Sequence, residues 1–105
     1  MSAVWAKDSQ DNTEMLGIIY GKDKTEIFVI AYDRAASKTV LTRMNDAGAI
    51  SWTYQCLLAY TQAPLLANYA LNGDEGFIYL TTKLASGAIG ITRYYLNDDG
   101  SLDDI

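Results

Sequence analysis

Apolar positions along this chain come in short blocks, each closed by turn-forming residues. EMLGIIYG (Glu14–Gly21) gives way to KDKT, and EIFVIAYDR (Glu26–Arg34) to AAS. KTVLTRMN (Lys38–Asn45) gives way to DAG, followed by AISWTYQ (Ala49–Gln55). LLANYALN (Leu65–Asn72), FIYLTTKLA (Phe77–Ala85) and AIGITRYYLN (Ala88–Asn97) then run in the same manner, with GDEG, SG and DDG after them. Blocks of this length, rich in β-branched and aromatic residues and punctuated by Gly, Asn and Asp, predict strands joined by tight turns. No block carries a helical period. The long run SWTYQCLLAYTQAPLLANYA is ambiguous by period, and its Tyr, Trp and Thr content favours strand. Several blocks, such as GIIYG, IFVIAY and GFIYL, are apolar on both faces, as expected for strands packed on both sides.

The blocks repeat. With a shift of 50, EIFVIAYDRAASKTVLTR falls on GFIYLTTKLASGAIGITR, placing Ile27 over Phe77, Phe28 over Ile78 and Arg43 over Arg93. The second copy then gains Tyr94 and Tyr95, and with a shift of 52 Asn45, Asp46 and Gly48 meet Asn97, Asp98 and Gly100. Both of these segments read as one turn between a third and a fourth strand. Asn and Asp open a type I turn, and Gly takes the left-handed position that closes a bulged hairpin. A positive φ is expected at Gly48 and Gly100. A partial third copy stands at the start, where AVWAKD (Ala3–Asp8) aligns with ISWTYQ, Trp5 over Trp52. The organisation expected is one all-β unit over residues 1–105: a strand at 3–8 completing a blade, a first repeat at 14–55 and a second at 65–105.

Four-stranded units of about 50 residues with an apolar second strand and the turn TRMNDAGAISW resemble bacterial-type β-propeller repeats. The second turn, TRYYLNDDGSLDD, follows that pattern without the tryptophan. The resemblance covers Leu16 to Leu102. It implies propeller-like antiparallel blades, and scaffold or binding functions. Propellers have four to eight blades, and this chain encodes about two. Head-to-tail homo-oligomerisation would close a ring, three copies giving about six blades and four about eight. A compact β-sandwich is the alternative fold, and a fragment of a longer propeller the alternative explanation of the blade number.

Composition narrows the function. The net charge is −5 and the eight basic residues are scattered, which argues against nucleic-acid binding. No apolar stretch approaches the roughly 20 residues of a membrane helix, and the start lacks the basic and apolar regions of a signal peptide. A soluble chain is expected; its compartment is left open. Histidine is absent, which removes Ser-His-Asp and Cys-His catalysis and the usual zinc sites. The single cysteine, Cys56, sits in an apolar run and reads as a structural thiol. The acidic NDDGSLDD lacks the ligand spacing of a calcium loop, and its aspartates read as solvated turn residues rather than a hydrolytic pair.

No enzyme activity, metal or cofactor is expected. The function expected is a non-enzymatic scaffold or protein-interaction module. The alternative is a multivalent lectin, with Trp5, Trp52, Tyr94 and Tyr95 as the aromatic candidates for a glycan or protein ligand. Packing of the two tryptophans between blades is the competing reading. Tyr94 and Tyr95 are expected at the rim, and Arg43 and Arg93 in equivalent ion pairs.

Overall fold

The structure, a computed structural model, describes residues 13–56, 62–73, 75–97 and 99–103. These form two four-stranded antiparallel sheets. The first contains β1 (Thr13–Tyr20), β2 (Glu26–Asp33), β3 (Lys38–Asn45) and β4 (Ile50–Gln55). The second contains β5 (Leu66–Asn72), β6 (Glu75–Lys83), β7 (Ile89–Leu96) and the two-residue β8 (Leu102–Asp103). Each sheet is a plain meander in chain order, and the first strands, β1 and β5, lie next to each other. The expected strand 3–8 lies outside the described residues.

The turns follow from local chemistry. Gly48 and Gly100 take φ of 88° and 85°, as their place after Asn-Asp-X requires. In each, the Gly amide donates to the Asn carbonyl, Gly48 to Asn45 and Gly100 to Asn97. The Asn45 side chain adds bonds from the amides of Ala47 and Ala49. The same hydrogen-bond pattern recurs at Leu84–Ala88, where Gly87 has φ of 90°.

One core fills the space between the sheets. Phe28, Ile30 and Leu41 of the first sheet meet Ile78, Leu80, Tyr94 and Leu96 of the second, with Cys56 buried among them. Burial of this apolar area is the main force holding the sheets together. The two sheets contribute unlike faces to it. The Gly21 amide bonds to the Glu26 carbonyl, and the register then makes Ile19–Phe28 and Gly17–Ile30 the bonded pairs of the ladder. The buried residues of β2 therefore exchange hydrogen bonds with the strand before them. In the second sheet the Leu84 amide bonds to the Ala88 carbonyl, so Ile78–Tyr94 and Leu80–Thr92 are bonded pairs. The buried residues of β6 exchange bonds with the strand after them. For L-residues the side to which N–H and C=O point is fixed once strand direction and face are fixed. The first sheet thus packs with one face of the meander and the second with the other.

This corrects the alignment of the copies. Phe28 over Ile78 would superpose unlike faces, because a one-residue offset reverses every side chain of a strand. Matching the turn-flanking residues puts Phe77 in the place of Phe28 and Tyr95 in the place of Arg43. The extra length of the second copy lies in the β6–β7 hairpin around Leu84–Ala88, not at Tyr94 and Tyr95. Arg43 and Arg93 consequently stand on unlike faces.

Candidate functional site

Among the described residues, clustered polar or aromatic side chains stand out in two places. The first is a cleft of about 360 Å³ at one end of the inter-sheet space. Lys22 and Glu26 line it from the first sheet, and Tyr69, Leu71, Asn97 and Gly100 from the second. Glu26, the first residue of β2, points into the interface with its side chain 5% exposed, and Arg43, across the β2–β3 ladder, is 21% exposed. The Glu26 Oε2 accepts from Arg43 Nε at 2.8 Å and from Nη2 at 2.8 Å. Its Oε1 accepts the Lys22 amide at 3.0 Å. Arg43 Nη1 reaches Ser51 Oγ at 3.1 Å. A buried carboxylate must be paired in this way, since an isolated one is costly.

Tyr69 completes the cleft. Its ring lies over Gly76, where a Cβ would fall 2.6 Å from the hydroxyl, and stacks on Phe28 with centroids 6.0 Å apart. Its hydroxyl titrates above the ordinary value of 10.0, first because of burial and then because of the nearby Glu26 charge. The Glu26 charge is taken up by its pairing with Arg43, and among the described residues no nucleophile with an adjacent base stands in the cleft. Among the described residues no group of three or more His, Cys, Asp or Glu side chains is placed to hold a metal ion.

The aromatic candidates separate. Trp52 packs between the sheets: its ring meets Phe28 at 6.1 Å, and Nε1 donates to the Gly100 carbonyl at 2.8 Å. Tyr94 is 3% exposed and sets its ring edge-on to Tyr54 across the interface, at 5.9 Å. It is a core residue, not a rim residue, because its pairing with Ile78 fixes it on the buried face. Tyr95, one residue on, faces the other way. Trp5 and Asp98 lie outside the described residues.

Tyr95 belongs to the second place, the outer face of the second sheet. Its ring meets Phe77 edge-on at 5.4 Å, Tyr79 flanks Phe77 at 6.4 Å, and the Arg93 guanidinium stands 4.9 Å above the Phe77 ring. Leu66, Ile89 and Ile91 extend this face and are each more than half exposed. The outer face of the first sheet is also apolar, with Met15, Ile18, Tyr20 and Ile50 all more than half exposed. Sequence reasoning missed Glu26, Tyr69 and the Phe77 cluster. The strand parity that reveals the cluster was hidden by the even shift between copies, although Glu26 and Glu75, each opening a second strand, mark the odd one.

No family model, curated protein or solved structure matches this chain. Among the described residues no helix is long and apolar enough to cross a membrane. The class of molecule that the fold defines is therefore an all-β protein of two stacked antiparallel sheets, and its function is argued from its own surfaces.

Proposed function

We propose that the chain is a non-enzymatic, β-propeller-like building block that self-assembles head to tail into a ring and serves as a scaffold or protein-interaction module. The observation that carries this reading is the pair of apolar outer faces. Seven aliphatic or aromatic side chains on them are more than half exposed, from Met15 to Ile91. Contiguous apolar surface of this kind marks an interaction site. Each sheet covers one face with its neighbour and leaves the other for a further sheet. Three copies would supply six sheets and four would supply eight, both within the range of closed propellers.

Light scattering over a wide concentration range tests the proposal. A discrete trimer or tetramer is the expected result, and a monomer at all concentrations would overturn it. A lectin role is the weaker reading. Trp52 commits its N–H to Gly100, and Tyr94 is buried, which leaves Tyr95, half-buried against Phe77, as the described candidate on an outer face.

A further inference from the structure

The interface inside the chain is a template for the interface between chains. The first sheet packs with the face whose β2 residues bond to the preceding strand, carrying Phe28, Arg43 and Trp52. The second packs with the face whose β6 residues bond to the following strand, carrying Ile78, Tyr94 and Leu96. What remains outside is one face of each kind. The outer face of the second sheet is the counterpart of the buried face of the first: Phe77 stands where Phe28 stands, and Tyr95 where Arg43 stands. The outer face of the first sheet is likewise the counterpart of the buried face of the second, with Ile18, Tyr20, Val29 and Met44 on one side of the meander.

We infer that these two outer faces form one heterologous interface between copies of this chain. The Phe77–Tyr95–Ile91 face of one copy seats on the Ile18–Tyr20–Val29 face of the next. Their occupant is a second copy because each face matches in kind the face that its counterpart already covers within the chain. Two copies joined by a two-fold axis would bring like faces together, a contact the chain does not make internally. A heterologous contact repeats with the same polarity and either closes or runs on. By the same correspondence, Tyr95 would meet the Asn45–Gly48 turn of the next copy, as Arg43 meets Gly100 within the chain.

This inference rests on the self-assembly proposed above, and the experiment separates the two. One variant, Ile18→Lys with Tyr20→Lys, blocks the outer face of the first sheet. Another, Ile89→Lys with Ile91→Lys, blocks that of the second. All four side chains are more than half exposed, so the fold is expected to persist, as circular dichroism would verify. If either double variant fails to fold, the single changes Ile18→Lys and Ile91→Lys replace it. Native mass spectrometry is then run on wild type, on each variant and on an equimolar mixture.

The expected result is an oligomeric wild type, two monomeric variants, and a mixture that forms a one-to-one heterodimer and nothing larger. Each variant keeps one intact face, and only the mixture unites two that fit. Homodimers of either variant, or a mixture that stays monomeric beside an oligomeric wild type, would overturn the head-to-tail pairing, and with it the head-to-tail ring, but leave self-association itself standing. A monomeric wild type would overturn both.

Discussion

The indole of Trp52 and the carbonyl of Gly100 are joined by a 2.8 Å hydrogen bond that links β4 of one sheet to the third-to-fourth turn of the other. The bond closes the interface at the end where the cleft opens. It also fixes Trp52 as a structural residue, since its only donor is used. Trp52→Phe should keep most of the ring contact with Phe28 and cost about 1 kcal/mol, the net value of one such bond. Trp52→Ala should cost about 3 kcal/mol through lost packing. Urea unfolding followed by circular dichroism measures both, and equal costs would mean that the hydrogen bond dominates.

Gly100 and Gly87 offer a controlled comparison. Both hold a positive φ, 85° and 90°, in turns with the same hydrogen-bond pattern. A Cβ at Gly87 would meet nothing within 4 Å, whereas one at Gly100 would fall 2.5 Å from the Arg43 guanidinium carbon. Gly87→Ala should therefore cost only the backbone strain, about 1–2 kcal/mol. Gly100→Ala should cost more, because Arg43 can retreat only by loosening its hold on Glu26. Thermal unfolding of the two variants gives the order, and a smaller loss at Gly100 would show that Arg43 moves freely.

Acid should weaken two turns in a defined direction. The Asp99 carboxylate accepts the Ser101 hydroxyl at 2.6 Å and amide at 2.9 Å, and Asp23 accepts the hydroxyl and amide of Thr25 at 2.5 Å and 2.8 Å. The hydroxyl bond first, then the amide bond, holds each carboxyl below the ordinary value of 3.8. A lowered folded-state value means that the unfolded chain binds protons more readily. The contribution is then present above 3.8 and is lost as pH falls through the lower folded-state value. Asp23→Asn with Asp99→Asn should therefore differ from wild type at neutral pH and converge on it in acid. A melting-temperature gap that stays constant with pH would show that neither carboxylate is linked to folding.

The sequence made the strands legible because their turns are written in Asn, Asp and Gly, residues whose local chemistry decides the backbone before any packing occurs. Gly48 and Gly100 were readable for that reason. The pairing of faces was not, because it depends on the parity of the strands. Phe28 resembles both Ile78 and Phe77 in character, and the Gly21–Glu26 and Leu84–Ala88 bonds, taken with the strand register, show which one shares its face. Glu26 was hidden for a related cause. A carboxylate at the start of a strand reads as solvated until the partner strand delivers Arg43 and a second sheet covers both.

That burial makes the Glu26–Arg43 pair a test of how the interface tolerates charge. Arg43→Met would leave the Glu26 carboxylate in the interface with the Lys22 amide as its remaining partner, at 3.0 Å. Breaking a buried pair from one side costs about 3–5 kcal/mol, because the remaining charge is uncompensated. Glu26→Gln should cost less, since an amide oxygen still accepts from Lys22 and Arg43 is the more exposed of the two, at 21%. The double variant Glu26→Gln with Arg43→Met removes both charges. It should be more stable than Arg43→Met alone, because the residual penalty belongs to the stranded carboxylate rather than to the missing guanidinium. Denaturant unfolding of the three variants completes the cycle. Additive losses would mean that the two charges act independently and that solvent reaches Glu26 once Arg43 is gone. Non-additive losses would show that the second sheet keeps water from this corner of the interface.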